Sequence, residues 1–423
     1  MWAQLPELVL TQVFSQLGPV DRANCAEVCR HWSLCLSIPG LWRRCVVRID
    51  RDLGSDYSVI SEQAVKYGEH MRSLELVWTR PYTGTRREPR ITRSTQAEAG
   101  ANFLALVQTK DVKLREVILT NWVHSSKWGN CDKLLYSLAN LLATQQYIEK
   151  FSLANANLGL ADALRLLAIV TKFSSGHLRF LNLCGAFREL HAPRDNPRYL
   201  RLLGRMTGLT HLSLDYSALS VGTLTALVVG APNNLTTLHV LICDSDSRQH
   251  RIEDAAWSQL VEAYPRLTVS YTIINLSHYE EVRHLLMPSV PLAKFQIFGG
   301  HQWDQSRTRN FRATLALLIT HYTKTLVEVM LQVRNNREML DDLILSMLLQ
   351  CKHLEKLQYD GILRNMETFR EICEFLAKHE TAFDKVHLKT RNINDHNLAV
   401  LRDINDEYDR QLDIKGIDMH IDN

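Results

Sequence analysis

Two patterns of apolar positions divide the chain, one at helical spacing near the N-terminus and one that repeats along the remainder. In the first, apolar residues recur three or four positions apart from Leu5 to Leu17, and Gly18-Pro19 ends the run. Glycine suits a left-handed helix C-cap, and proline cannot continue a helix. Asp21 is a favourable N-cap for a second helix that carries apolar residues as far as Trp32. The first 45 or so residues therefore predict short helices with much apolar surface for their length.

The second pattern is a short template, apolar-x-x-apolar-x-apolar, which predicts a strand with two inward-facing residues. Its copies begin at Met71, Leu114, Ile148, Leu178, Leu209, Leu235, Tyr264, Leu292, Leu326, Leu354 and Phe383. Amphipathic segments such as Leu160 to Phe173 lie between the copies and predict helices. Because one strand and one helix cannot bury an apolar face alone, neighbouring units are expected to stack with their strands in parallel.

The N-terminal pattern resembles the F-box. The matching residues are Leu5-Pro6, Leu8-Val9, Val13-Phe14, Leu17, Asp21, Val28-Cys29-Arg30, Trp32 and Leu41-Trp42-Arg43. Arg22 departs from the pattern, since an apolar residue usually follows the aspartate in this family. The resemblance implies docking on the Skp-type adaptor of an SCF-type ubiquitin ligase. The residues it implies for adaptor binding are Leu5, Pro6, Leu8, Val9, Val13, Phe14, Leu17, Trp32 and Trp42. The alternative is a plain helical hairpin that caps the domain behind it.

The repeating part resembles leucine-rich repeats of the longer, helix-containing kind. The expected fold is therefore α/β, with a three-helix F-box at 1–47 and a solenoid at 48–400. The solenoid would have about eleven irregular repeats, with parallel strands on its concave face and helices on its convex face. A basic loop at 79–95 interrupts it, and 401–423 form a C-terminal cap or tail. The alternative is an ordinary α/β domain with buried parallel strands.

A substrate-binding surface can be placed from strand geometry. The residue between the two inward positions of each strand points away from the core, as Thr268 would in the copy that begins at Tyr264. The candidates on or beside these positions are Phe180, Asn182, His211, Ser213, Asp215, His239, Gln296, Phe298 and Gln358. Two loops add Arg86, Arg87 and Trp303. Arginine forks suit carboxylates and phosphates, although a solvated surface loop is the alternative for the basic loop.

Composition narrows the classes of function. The net charge of +3, from 49 basic and 46 acidic residues, gives no overall attraction to nucleic acid or membrane. No run approaches about 18 apolar residues, and no secretory signal is visible at the N-terminus. The 9 cysteines are scattered, which predicts reduced thiols and a cytoplasmic and/or nuclear protein. The sequence shows neither clustered metal ligands nor a catalytic motif. It therefore predicts no metal, no cofactor and no enzymatic activity.

These patterns together predict a non-catalytic subunit. The F-box resemblance implies a Skp-type adaptor as partner and, through it, cullin and RING subunits, while the repeats would hold a protein substrate. The alternative is a non-catalytic leucine-rich-repeat scaffold or inhibitor without ligase association. An enzyme with a cysteine nucleophile would need a thiol beside a basic histidine, and nothing in the spacing indicates one.

Overall fold

The computed structural model describes residues 5–53, 58–79, 93–122, 131–230, 234–244, 246, 250–276, 278–299, 310–379, 382–391 and 393–422. The chain separates into two compact units, Met1–Leu212 and Ser213–Asn423. Within each unit, parallel strands alternate with helices. The expected α/β fold with the strand-helix order of leucine-rich repeats is confirmed.

Unit 1 begins with the three expected short helices. These are α1 (Glu7–Ser15), α2 (Pro19–Val28) and α3 (Arg30–Leu36), followed by a 3-10 helix at Pro39–Trp42. The junction of α1 and α2 differs from the expectation. Gly18 is extended, with φ −71°, and it directly precedes α2, so that Asp21 lies in the first turn and is not the N-cap. Proline lacks the N–H that the first helical position leaves unpaired, so α2 begins at Pro19 itself.

The rest of unit 1 alternates strands and helices. The strands are β1 (Arg44–Arg48), β2 (Ser73–Val77), β3 (Glu116–Thr120), β4 (Lys150–Ser152) and β5 (Phe180–Asn182). The helices are α4 (Val59–Tyr67), α5 (Arg93–Gln108), α6 (Asp132–Ala143), α7 (Leu160–Ser174) and α8 (Pro197–Gly204), with a 3-10 helix at Gly68–His70. The strands pair in parallel and in sequence order. Their inward residues, such as Leu74 and Leu76, are buried.

Strand β6 (His211–Asp215) crosses the boundary in sequence, and unit 2 continues the alternation. The strands of unit 2 are β7 (Thr237–Cys243), β8 (Thr268–Ile274), β9 (Leu292–Phe298), β10 (Glu328–Gln332), β11 (Lys356–Gly361), β12 (Lys385–Thr390) and β13 (Asp418–Asp422). The helices are α9 (Val221–Gly230), α10 (Asp254–Ala263), α11 (Tyr279–Val282), α12 (Phe311–Tyr322), α13 (Asp341–Gln350), α14 (Met366–Lys378) and α15 (Asp395–Ile414), with a 3-10 helix at Tyr216–Ala218. Strands β7 to β13 also pair in parallel and in sequence order.

Every copy of the strand template coincides with one of the strands β2 to β12. Two described strands were not expected, β1 and β13, because neither carries the leucine spacing of the template. The template copy at Tyr264 also has the wrong register. Strand pairing sets His239 opposite Ser270, not Thr268, and an extra residue, Ala293, is accommodated where β8 meets β9.

The turns that leave several strands use one backbone conformation. Asn121, Asn155 and Asn275 each stand two residues after the last inward-facing residue of a strand, and their φ angles are 54°, 54° and 59°. Gly185 holds the same position after β5, with φ 65°. Asparagine and glycine tolerate this left-handed region better than other residues. A Cβ atom at Gly185 would lie 2.5 Å from Oδ1 of Asn155, so this turn requires glycine.

Two classes of feature are missing from the part of the chain that the structure describes. None of its helices is long and apolar enough to cross a membrane. Its His, Cys, Asp and Glu residues nowhere gather in groups of three or more that could hold a metal ion.

Candidate functional site

The N-terminal helices enclose a small core of their own. Leu10 and Phe14 of α1 are buried together with Cys35, Leu36 and Leu41. The ring of Phe14 meets that of Trp32 edge to face, with centroids 5.3 Å apart. Such a pair adds to the burial of the two rings. Phe14 is thus the centre of the three-helix packing.

Arg22 connects three parts of this core. Its Nε donates to the carbonyl oxygen of Phe14 at 2.9 Å, and its Nη2 donates to that of Ser15 at 3.1 Å. Its Nη1 donates to the carbonyl oxygen of Leu41 at 2.5 Å, and the guanidinium lies 5.6 Å from the ring centroid of Trp42. Burial lowers the pKa of Arg22 from its ordinary value. The last carbonyls of an α-helix have no N–H partner four residues on, so the arginine that departs from the F-box pattern helps to close this helix.

Aromatic and polar contacts join these helices to the first repeat. Trp42 stacks on Tyr67 of α4 with centroids 4.2 Å apart, and its indole nitrogen donates to the carbonyl oxygen of Leu36 at 2.6 Å. The amide of Gln63, also on α4, donates to the carbonyl oxygen of Pro19 at 2.7 Å. The helices are therefore packed on α4 and not attached by a linker alone.

The outer side of the helices carries apolar side chains that the core does not use. Leu8 is 82% exposed, and Val9 and Val13, one helical turn apart on α1, are 40% and 42% exposed. Pro6 precedes them and is also exposed. We call Pro6, Leu8, Val9 and Val13 the α1 surface. Exposed apolar side chains grouped on one short helix indicate a binding surface.

The structure divides the residues that the F-box resemblance implied for adaptor binding. The four residues of the α1 surface face outward. Phe14 is 1% exposed, which corrects the expectation that it contacts a partner, because packing against α3 turns it inward. The other four implied residues are partly buried against the helix core: Leu5, Leu17, Trp32 and Trp42. Three more exposed apolar residues, on α2 and α3, were missed by sequence reasoning: Val20, Val28 and Leu34. The signal that could have found them is an apolar residue at a position for which the helical pattern gives no packing partner.

In unit 1, the strand face away from the helices carries an aromatic cluster. Phe180 stacks on His211 with centroids 6.1 Å apart, and Nζ of Lys150 lies 5.0 Å from the centre of the Phe180 ring. Asn182 is on the same strand as Phe180, but its Oδ1 accepts the backbone N–H of Cys184 at 3.0 Å. Phe180 and His211 therefore lie together on this face, while Asn182 supports its own turn.

In unit 2, the corresponding face carries a hydrogen-bonded ladder. His239 Nε2 lies 3.0 Å from the hydroxyl of Thr272, and that hydroxyl lies 3.1 Å from Oε1 of Gln296. Gln296 Nε2 donates to Oε1 of Glu328 at 3.2 Å, and Lys294 Nζ donates to its Oε2 at 2.7 Å. Since the Thr272 hydroxyl donates to Gln296, it accepts from His239, which places a proton on Nε2. Burial lowers the pKa of His239, so the neutral ring is favoured.

A second polar group lies at the end of β11. Asp360 is buried and accepts from Nε and Nη2 of Arg391, the latter at 2.6 Å, and from Gln332 Nε2 at 3.2 Å. Burial by itself would raise the pKa of Asp360, but the hydrogen bonds and charge of Arg391 outweigh it, so the pKa is lowered. The ion pair and the Gln332 hydrogen bond together connect the ends of β10, β11 and β12.

The remaining substrate-binding candidates differ in their exposure in the structure. Gln296 and Gln358 share one row across β9 to β11, with Met330 between them. Phe298 is half-buried at the end of β9. Ser213 and Asp215 are buried, which corrects their expected exposure: alternation along a strand gives the direction of a side chain but not what covers it. The candidates Arg86, Arg87 and Trp303 lie outside the described residues. Thr272 was missed because of the register error in β8.

Several of the thiols are protonated by burial and are not activated as nucleophiles. Burial raises the pKa of Cys45 and Cys373 to about 12, and that of Cys351 to about 11. Cys35 Sγ lies 3.9 Å from Nε2 of His31, but the pKa of Cys35 is also raised by burial. That same Nε2 lies 3.1 Å from the carbonyl oxygen of Leu5, which requires a proton on it, so His31 cannot accept one there.

Comparisons with known proteins agree with this arrangement. Residues 2–48 match the F-box-like family. The F-box/LRR-repeat protein 21 of Mus musculus is 24% identical over 66% of this chain and 61% of its own length. The Bos taurus protein of the same name is 22% identical over 84% of this chain and 76% of its own. The F-box/LRR-repeat protein 8 of Homo sapiens is 24% identical over 69% of this chain and 74% of its own.

Proposed function

From an F-box-like domain followed by leucine-rich repeats, we propose that this chain is the substrate-recognition subunit of an SCF-type ubiquitin ligase. In this role the N-terminal helices bind a Skp-type adaptor, which connects the chain to cullin and RING subunits. The repeats bind a protein substrate. The complex acts in the cytoplasm and/or the nucleus.

The α1 surface is the observation that carries the proposal. It lies within the segment that matches the F-box-like family, and its apolar side chains are left over after the helices have formed their own core. A helical cap without a partner would turn such residues inward, because exposed apolar area costs about 25 cal/mol per Å². An adaptor that covers Leu8, Val9 and Val13 removes this area from water.

The chain itself needs no catalytic group for this role. Holding a substrate near the ubiquitin-carrying subunits raises its effective concentration, and that alone accelerates transfer to a lysine.

For the substrate, we assign the strand faces of the two units. The Phe180–His211–Lys150 cluster offers an aromatic and cationic contact in unit 1. The His239–Thr272–Gln296–Glu328 ladder offers fixed donors and acceptors in unit 2. A side chain held by neighbours loses little entropy on binding, so such a face suits a protein segment.

The test compares Leu8→Asp with a matched control, Ile414→Asp, in the full chain. Both leucine and isoleucine are exposed, at 82% and 86%, and both changes add one negative charge, but Ile414 lies on α15 in unit 2. Burying a leucine contributes about 1.5–3 kcal/mol, so Leu8→Asp should weaken binding of a purified Skp-type adaptor by about tenfold or more. Ile414→Asp should leave the dissociation constant unchanged. If the parent chain does not bind the adaptor, or Leu8→Asp binds as the parent does, the proposal is wrong.

A further inference from the structure

Four arginines of unit 1 stand at one level, directly before the strands β1, β2, β3 and β5, and a glutamate holds the same position before β4. The carbonyl oxygen of Arg43 accepts from the N–H groups of Arg72 and Ser73, both at 2.8 Å, and that of Arg72 accepts from Arg115 at 2.7 Å. The same pattern continues from Arg115 to Glu149 at 2.7 Å and from Glu149 to Arg179 at 2.8 Å. We call Arg43, Arg72, Arg115, Glu149 and Arg179 the arginine row. It contains four positive charges and one negative charge.

This arrangement places like charges side by side. Neighbouring strands are about 4.8 Å apart, and like charges directly opposite each other on paired strands are destabilising. Arg43, Arg72 and Arg115 are consecutive in the row, with no acid between them. The fold therefore brings three positively charged residues to neighbouring strands, where a bound anion would reduce their mutual repulsion.

The existing contacts orient these guanidinium groups without neutralising most of them. Arg72 donates to the carbonyl oxygens of Glu69 and Met71, both at 2.8 Å, and carbonyls carry no net charge. Arg115 forms an ion pair with Glu149 at 3.0 Å, but both side chains are largely in water, where such pairs contribute little. Arg43 is exposed, and no described side chain pairs with it.

A recess opens beside these three arginines. Its volume is about 390 Å³, and its lining consists of Pro39, Arg43, His70, Arg72 and Arg115. A second groove of about 730 Å³ shares Arg43 with the recess as a lining residue. Arg44, Arg48 and Arg51 also line this groove, with Asp21 and Asp52 as its acids. A single small anion would fill only the recess, whereas a length of polypeptide can occupy both.

We propose that the recess and the adjoining groove bind an acidic segment of a protein partner. Glutamate or aspartate carboxylates pair with Arg43, Arg72 and Arg115, because the planar fork of arginine matches a carboxylate in geometry. Among the described residues of the two linings, His70 alone has an aromatic ring, so there is no series of rings on which successive bases could stack; this favours a protein segment over single-stranded nucleic acid. The groove is lined in part by Ser15 to Arg22 at the junction of α1 and α2, but the surface shares no residue with the α1 surface and does not depend on the ligase function.

The test measures binding of fluorescein-labelled hexaglutamate to the full chain by fluorescence anisotropy, without an adaptor. The variant Arg43→Gln/Arg115→Gln removes two exposed charges of the row. Its matched control, Arg198→Gln/Arg201→Gln, removes two exposed charges from α8 in the same unit. We expect the first variant to weaken hexaglutamate binding about tenfold and the control to remain within about twofold of the parent.

Several results would overturn the proposal. These are no binding of hexaglutamate to the parent chain, equal weakening in both variants, or tighter binding of an oligothymidine of matched charge. Equal weakening would mean that only the overall charge matters. Tighter oligothymidine binding would mean that the surface is a nucleic-acid site.

Discussion

Replacing Arg22 by leucine tests whether the structure or the family pattern better describes the start of α2. An apolar residue is usual at this position, so the pattern alone predicts that leucine is neutral or stabilising. In the structure, the guanidinium donates to the carbonyls of Phe14, Ser15 and Leu41, at 2.9, 3.1 and 2.5 Å. The leucine side chain can donate to none of them.

The magnitude follows from these contacts. Hydrogen bonds from a charged donor contribute about 1.5–3 kcal/mol each, but water can replace the arginine at the half-exposed end of α1, so the combined loss is about 3 kcal/mol. The partly buried leucine would regain about 1 kcal/mol through its apolar area. The net destabilisation of the N-terminal helices is therefore about 2 kcal/mol, which corresponds to roughly a thirtyfold increase in their opening equilibrium.

Hydrogen exchange read by mass spectrometry on peptides from residues 5–42 measures this opening in the full chain. Arg22→Lys is the control, because it keeps the charge and the apolar stem but cannot reach three carbonyls at once; it should fall between the parent and Arg22→Leu. Exchange in unit 2 should be the same in all three proteins. Protection of these peptides in Arg22→Leu equal to or above that of the parent would refute the reasoning.

Two further substitutions test the packing of Phe14 and the ion pair of Asp360. Phe14→Ala should destabilise the N-terminal helices by about 3–5 kcal/mol, because Phe14 is 1% exposed, and unchanged exchange in peptides from 5–42 would contradict this. Asp360→Asn should lower the urea midpoint at pH 7, since Arg391 loses its charged partner. The pKa of Asp360 is lowered in the folded state, so its contribution is present above its unfolded value of about 3.9 and is lost as pH falls through the folded value. The midpoints of parent and variant should therefore converge in acid, and a constant difference down to pH 2 would count against this assignment.

The repeating strands could be predicted from the sequence because each inward pair of apolar residues is local and recurs. Register could not be predicted in the same way. In β8, Leu267 and Val269 satisfy the template, but Val269 and Tyr271 satisfy the same alternation two residues later. A shift of two residues keeps every side chain on its face, so only the pairing with β7 and β9 distinguishes the alternatives.

The sequence also does not predict which residues of α1 face outward. Apolar residues occupy more than one side of this helix, and the spacing of Leu8, Val13 and Phe14 does not say which of them faces α3. Packing decides this, because the large ring of Phe14 fits against Trp32 while Leu8 has no place in the small core. The arginine row was also invisible in the sequence, since its members are about 29 to 43 positions apart and meet only through strand pairing.

The stack of Trp42 on Tyr67 affects the distance between a bound adaptor and a bound substrate. Together with the Gln63 contact to Pro19, it packs the N-terminal helices directly on α4, with no flexible linker between them. In the proposed ligase, the separation between the adaptor and a substrate on unit 1 is then set by strand spacing, about 4.8 Å per step and roughly 20 Å from β1 to β5. Such an arm delivers a substrate at a defined distance and angle. The lysine that receives ubiquitin would be selected by its position in space and not by the sequence around it.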